Sequence, residues 1–272
     1  MDFNRGLEIQ SSPATIMIGI RGESGFIKFL FMTIAFIIMS HICLSPIAYS
    51  APLTVTEKFV YDLTWTGIKA GTASLELKND GDKVKILSTA QSASWVSVFY
   101  TVDDRVESTL LKDSAESFFQ PSQYRIKIRE GRHRRDKEII FDAHNSKAIY
   151  IDRLKPERKD FQVTPQVLDP LSGFYYLRLL KLSVGQPVYI TIFDSKKVWN
   201  VEVQVLKKEK ITLPIGKINT VVVKPLMKSE GIFYGKGEIF IWLTDDEKHI
   251  PVKMQTKVGI GSITATLVKG LY

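Results

Sequence analysis

The chain has 272 residues, 44% of them hydrophobic and 24% charged, with 17 glycines, 11 prolines and one cysteine. Those fractions exclude collagen-like, low-complexity and disulfide-scaffold classes. The formal net charge of +8 fits nucleic acid, an anionic membrane surface or plain solubility, so it has to be located before it means anything.

Residues 29–42 read FLFMTIAFIIMSHI, with Arg21 and Lys28 before them and Ser45-Pro46 behind. This apolar run has the length of a signal-peptide core and falls short of the roughly 20 residues that span a bilayer. Ala48 and Ser50 place small residues three and one positions before Ala51, so residues 1–50 are expected to be a signal peptide cleaved after Ser50. A second reading keeps the segment as an uncleaved anchor, because Leu44, Ile47 and Ala48 lengthen the apolar stretch. Met17 is an alternative start. Cys43 lacks the Leu and small residues expected before a lipidated cysteine. The expected address is the periplasm, or, with an uncleaved anchor, the inner membrane facing the periplasm.

Removing residues 1–50 removes the only cysteine, and with it any disulfide, thiol nucleophile or cysteine metal ligand. Three basic and three acidic residues leave with it, so all of the +8 stays in the single domain expected over 51–272. A domain of that size buries roughly 70% of its unfolded surface.

Period-two alternation dominates this region. Phe59, Tyr61, Leu63 and Trp65 share one strand face, and Gly67 to Gly71 reads as a turn into a strand over Thr72–Leu77. Asn79-Asp80-Gly81-Asp82 is turn chemistry, followed by strands over Lys83–Ala93, Asp103–Leu110, Gln123–Glu130, Arg134–Asp142 and Lys147–Arg153. Lys155–Pro165, holding two prolines, reads as a loop. Residues 169–182 break the alternation: Asp169 caps a helix start and Pro170 suits the first helical position, where its missing donor is not needed. This one helix is apolar nearly all round, so it should be buried.

Strands resume over Val188–Asp194, Val198–Leu206, Ile218–Lys224, Glu238–Leu243, Val252–Val258 and Ser262–Val268. The residues 239–243, IFIWL, are apolar on both faces, as in a central strand. The expected fold is mainly β: one large antiparallel curled sheet, barrel or half-barrel with a single helix packed against it.

Residues 125–159 contain twelve Lys or Arg against six Asp or Glu, so the basicity is local. Arg125, Lys127 and Arg129 share one face of a strand, and the following turn adds Arg132, Arg134 and Arg135. This basic hairpin would meet an anionic envelope partner, a lipid, lipopolysaccharide or cell-wall polymer, by concentrated charge. Nucleic acid is not an expected partner of an exported chain. The plainest role of such a run is a solvated hairpin face, since Glu130, Asp136 and Glu138 are interleaved with it.

Asp245, Asp246 and His249 fall within six residues and offer carboxylates and an imidazole for a metal or a shared proton. Their position between two strands reads more simply as an Asp-rich turn. No nucleophile elbow, zinc spacing or phosphate loop occurs, so neither a cofactor nor a metal is expected. Trp65, Trp95, Phe99, Tyr100, Tyr175 and Trp242 are aromatic candidates for lining a barrel mouth. Of these, the segment Ser94–Tyr100 is the favoured exposed apolar element.

Three blocks together carry a resemblance. They are Tyr61-Asp62-Leu63-Thr64-Trp65 with Gly67-Ile68-Lys69-Ala70-Gly71; Asp169-Pro170-Leu171-Ser172 with Tyr175-Tyr176-Leu177-Arg178; and Trp242-Leu243-Thr244-Asp245-Asp246 with Ile250-Pro251-Val252 and Gly261-Ser262. In order and spacing the chain is similar to the bacterial envelope family known as domain of unknown function 3108. The resemblance implies an exported, mostly β domain of Gram-negative bacteria and brings no catalytic residues with it.

The expected function is therefore non-enzymatic: a periplasmic protein that binds or carries an apolar or amphipathic envelope molecule. One alternative is a structural or assembly partner of an envelope protein acting through the hairpin 125–159. Another is a cell-wall glycan enzyme using Asp245, Asp246 and His249. Contact with a membrane is expected to be transient or through the N-terminal anchor.

Overall fold

The computed structural model describes residues 56–112, 120–226, 238–257 and 261–271. All belong to the compact unit Tyr49–Tyr272. The expected signal segment, its cleavage point and Cys43 lie outside the described residues.

Among the described residues, fourteen strands form one antiparallel sheet. In chain order they are β1 (Glu57–Trp65), β2 (Ile68–Asp80), β3 (Lys83–Ser92), β4 (Asp103–Leu111), β5 (Gln120–Glu130), β6 (His133–Asp142), β7 (Lys147–Asp152), β8 (Glu157–Gln162), β9 (Val188–Asp194), β10 (Lys197–Leu213), β11 (Gly216–Pro225), β12 (Ile239–Thr244), β13 (Pro251–Lys257) and β14 (Ser262–Leu271). Two short helices interrupt them, α1 (Ser94–Ser97) and α2 (Pro170–Leu177). The strand order is β8-β7-β6-β5-β4-β3-β2-β1-β14-β13-β12-β11-β10-β9. Two consecutive meanders are thus joined where the first strand pairs with the last. Neighbours are hairpin partners elsewhere because period-two segments separated by tight turns have short connections to close.

The fold class matches the sequence expectation, and five details differ. The turn after β1 is only Thr66-Gly67, both at positive φ, so β2 starts at Ile68 rather than Thr72. Strand β10 runs on to Leu213. The helix ends at Leu177, not residue 182, and α1 is a second one. The stretch read as a loop, Lys155–Pro165, contains β8, whose sequence ERKDFQ is charged because it is an edge that must not recruit another chain.

The sheet is open. Its edge strands β8 and β9 are not paired with each other, but side chains bridge them: Phe161 packs on Phe193 with centroids 5.4 Å apart, and Lys196 Nζ lies 2.7 Å from Glu157. Leu168 also bridges Ile192 in parallel, which covers part of the free edge of β9.

Helix α2 holds the two meanders together. Leu171 and Tyr175 join a large apolar cluster that runs through both meanders, from β1–β7 to β11–β14, while Leu177 joins a second cluster on β9–β12. Gly173 allows the close approach, since a Cβ there would meet Ile192 at 3.0 Å. The helix start is a capping box. Asp169 accepts from the amides of Leu171 and Ser172 at 2.9 and 3.0 Å, and its backbone amide donates to Ser172 Oγ at 2.9 Å. Its other oxygen accepts from Ser108 Oγ of β4 at 2.6 Å, which fixes the helix to the sheet.

Candidate functional site

Because the strands meander, their connections alternate between two ends of the sheet. One end, the helix end, carries the start of β1, the β12–β13 turn and the residues after α2. The other, the rim, carries the β1–β2 and β5–β6 tips and the β3–β4 crossing with α1.

At the helix end Arg178 is 1% exposed. Its guanidinium grips Glu57 through two bonds of 2.7 and 2.9 Å and donates to the Lys248 carbonyl at 3.2 Å. It also lies over the rings of Tyr175 and Phe59, at 4.9 and 5.6 Å. Burial alone would lower the Arg178 pKa, but Glu57 outweighs it and raises it. Burial pushes the Asp169 carboxyl above its ordinary value against the opposing bonds from Ser108, Ser172 and Leu171. These groups have their bonds filled by the protein's own chain, so they build the fold.

The acidic candidates belong to this end as well. Asp246 Oδ1 accepts from Thr244 Oγ1 at 2.7 Å and from the amides of Lys248 and His249 at 3.0 and 3.2 Å. Asp245 pairs with Lys208 at 2.7 Å, and His249 Nδ1 lies 2.9 Å from the Arg178 carbonyl. Each carries the bonds of a tight turn. Among the described residues no three His, Cys, Asp or Glu side chains converge as metal ligands would.

The six aromatic candidates divide. Tyr175 is fully buried beneath Arg178. Trp242 is buried too, its Nε1 donating to Glu209 at 2.7 Å and its ring covered by Lys253 at 4.4 Å. Trp65, Trp95, Phe99 and Tyr100 are exposed at the rim. Ten of the fifteen exposed large apolar side chains among the described residues lie at this end, which makes the rim, not the interior, the accessible apolar surface.

The rim is continuous and well tied. Trp65 pairs across to Ile68 and, on its other side, to Ile263. Trp95 Nε1 donates to the Lys69 carbonyl at 3.1 Å, and the Ala93 amide to Ala70 at 2.7 Å, so α1 is fastened to the β1–β2 tip. On the far side the Gly131 amide donates to the Thr101 carbonyl at 2.8 Å. Gly131, at φ +56, has no Cβ to strike the Tyr100 ring, so that ring seats directly on the β5–β6 tip.

That tip is the basic hairpin. Arg125, Lys127 and Arg129 are exposed while Tyr124, Ile126 and Ile128 are buried, the alternation read from the sequence. Arg125 pairs with Asp136 at 3.4 Å, and Glu138 is taken by Arg153. Nearer the rim Arg129 lies across from Arg134, a like-charge cross-strand pair. The Arg134 guanidinium turns onto the carbonyls of Gly131 and His133 at 2.7 and 2.8 Å, and Arg135 Nε lies 2.7 Å from His133 Nε2. Arg132 is exposed.

Sequence reasoning missed Ile68 and Ile263 as rim members. The two-residue turn Thr66-Gly67 was the available signal, since it makes Trp65 and Ile68 a cross-strand pair. It also missed Glu57 and Ser108, whose partners are 121 and 61 positions away.

The family described as "Protein of unknown function (DUF3108)" matches residues 60–268. The chain belongs to the DUF3108 family. The blocks that carried the resemblance are explained by the fold: Asp169-Pro170-Leu171-Ser172 builds the capping box, Tyr175 and Arg178 form the buried stack, and Trp65 to Gly71 forms a rim hairpin. No curated protein matches the chain. Among solved structures, the DUF3108 chain is similar to a β-barrel-like protein of domain of unknown function DUF1849 from Brucella abortus, with a TM-score of 0.51 and 15% identity over 81% of this chain and 98% of that one. A "putative lipoprotein" from Parabacteroides distasonis ATCC 8503 matches at a TM-score of 0.34 and 10% identity, over 82% of this chain and 98% of that one. The first likeness shows a β-barrel-like fold; nothing rests on the second.

Proposed function

We propose that this DUF3108 protein is a non-enzymatic component of the bacterial envelope that binds an amphipathic molecule at its rim. One observation carries the reading: the exposed residues Trp95, Val98, Phe99 and Tyr100 form one short segment whose Tyr100 ring seats on Gly131 of the arginine-rich β5–β6 tip. An apolar surface beside a basic one suits a partner with an apolar part and an anionic head. The apolar run 29–42 with its small residues at 48 and 50 supports an exported address.

Of the aromatic residues expected to line a barrel mouth, the rim takes Trp65, Trp95, Phe99 and Tyr100, while Tyr175 and Trp242 are buried. The interior is filled by Phe59, Tyr61, Tyr124, Tyr150, Tyr175 and Phe193. A cleft beside Pro121, Phe141 and Val167 has about 10 Å³, room for one water molecule. Native mass spectrometry of the full chain isolated from membranes tests the proposal. Wild type is expected to retain an amphiphile that Phe99→Ser/Tyr100→Ser loses; equal retention by both would overturn it.

A further inference from the structure

We propose that the rim docks onto the surface of an anionic phospholipid bilayer, with α1 and the residues behind it entering the headgroup layer. The inference rests on the rim-binding reading above and names its partner as a membrane surface rather than a single extracted lipid.

Four observations lead there. The first is exposure. Val98 is 77% and Phe99 85% exposed, values for side chains that stand clear of the protein, not for residues lining a cleft that would wrap one molecule. The second is support. Ser97 Oγ and Ser92 Oγ are 2.7 Å apart, Thr101 Oγ1 donates to the Ser97 carbonyl at 3.2 Å, and Trp95 is tied to Lys69. The apolar side chains are thus held outward by a bonded frame, so little ordering entropy is lost when they insert.

The third observation is composition. Trp65, Trp95 and Tyr100 each combine an apolar ring with a polar edge, the residue chemistry of membrane–water interfaces, while Val98 and Phe99 supply the purely apolar part. The fourth is charge. Between Arg129 and Arg135 there are four arginines and one acid, Glu130. The nearby carboxylates have partners within the protein: Asp104 accepts from the Arg129 amide at 3.0 Å, Asp103 from Gln91 at 3.4 Å, and Asp62 pairs with Lys69 at 2.7 Å. Basic side chains are drawn to the negative surface potential of an anionic bilayer. A second copy of the chain would bring like charges together at this tip, and so fits worse.

The test uses the full chain with Cys43→Ser and a single environment-sensitive fluorophore on Phe99→Cys, with Leu111→Cys, at the helix end, as the control position. Phosphatidylcholine vesicles are used with and without a third of phosphatidylglycerol. The expected result is a several-fold emission rise and blue shift at position 99 with the anionic vesicles only, none at 111, and loss of the response in Arg132→Ser/Arg134→Ser/Arg135→Ser. These changes lie outside the buried core, with Arg132 and Arg134 exposed and Arg135 half-buried, and an unaltered thermal melt checks that the fold is kept.

Silence at position 99 overturns the proposal, and so does an equal response at 99 and 111, which would report only the N-terminal apolar segment. An equal response to both vesicle types overturns the anionic partner. A rise at 99 with protein concentration and no vesicles assigns the rim to a second copy and also overturns it. If native mass spectrometry finds a retained amphiphile while position 99 stays silent on vesicles, rim binding stands and bilayer docking falls. Absence of both removes both.

Discussion

At the helix end Glu57, Asp169 and Arg178 are buried and hold several hydrogen bonds each, whereas at the rim Val98 and Phe99 stand in water beside a cluster of arginines. Both ends combine aromatic rings with arginine. Tyr175 and Phe59 stack on Arg178 within the core, while Tyr100 lies on the turn that carries Arg132. The difference is the carboxylate: Glu57 neutralises Arg178, and the tip from Arg129 to Arg135 has only Glu130 among its arginines. The same residue types make a buried clamp where one carboxylate grips the guanidinium and an exposed basic tip where arginines outnumber acids.

The sharpest way to break that contrast is to open the clamp. Glu57→Gln leaves the Arg178 charge buried without its counter-ion and should cost about 3–5 kcal/mol, read as a lower midpoint in urea denaturation. Adding Arg178→Met to that variant should recover part of the loss. A smaller effect is expected from Asp169→Ala, which removes the cap and strands Ser108: about 2–3 kcal/mol, measured in the same way, with loss of cooperativity between the two meanders.

At the rim the expectation reverses. Phe99→Ser should change stability by no more than about 0.5 kcal/mol, and a differential scanning melt that dropped by much more would make the rim part of the core. The smallest effect concerns the seam between β8 and β9. Hydrogen bonds from Lys196 and Lys159 lower the Glu157 pKa from 4.5 to about 2. The folded state therefore holds the proton more weakly than the unfolded one. The Glu157 contribution is present above pH 4.5 and is lost as pH falls toward 2. Acid titration of Glu157→Gln should show a shallower decline across that window than wild type.

Much of this architecture could be read from the chain because its forces are local. Alternation at Phe59, Tyr61 and Leu63 and at Arg125, Lys127 and Arg129 declares strand faces, and Asp169-Pro170 declares a helix start. The exposure of Ser94–Tyr100 was also legible, since four apolar residues there continue past the strand that precedes them. What was hidden depends on distant partners. Tyr175 and Trp242 look like Tyr100 and Trp95 in the sequence, and only packing separates buried from exposed. Glu157–Gln162 carries no apolar face because it is an edge, so its charge and flanking prolines imitate a loop. The clamp joins Glu57 to a residue 121 positions away, a pairing no local pattern announces.

The pairing of β1 with β14 at the middle of the sheet sets an order of events. Residues 57–162 can form one meander and residues 188–257 most of another without it. Among the described residues, their strand-to-strand junction is the pairing that Ser262–Leu271 makes with β1. Without β14 both meanders carry an extra unpaired edge, so a chain lacking that strand should behave as two half-sheets rather than a shortened protein.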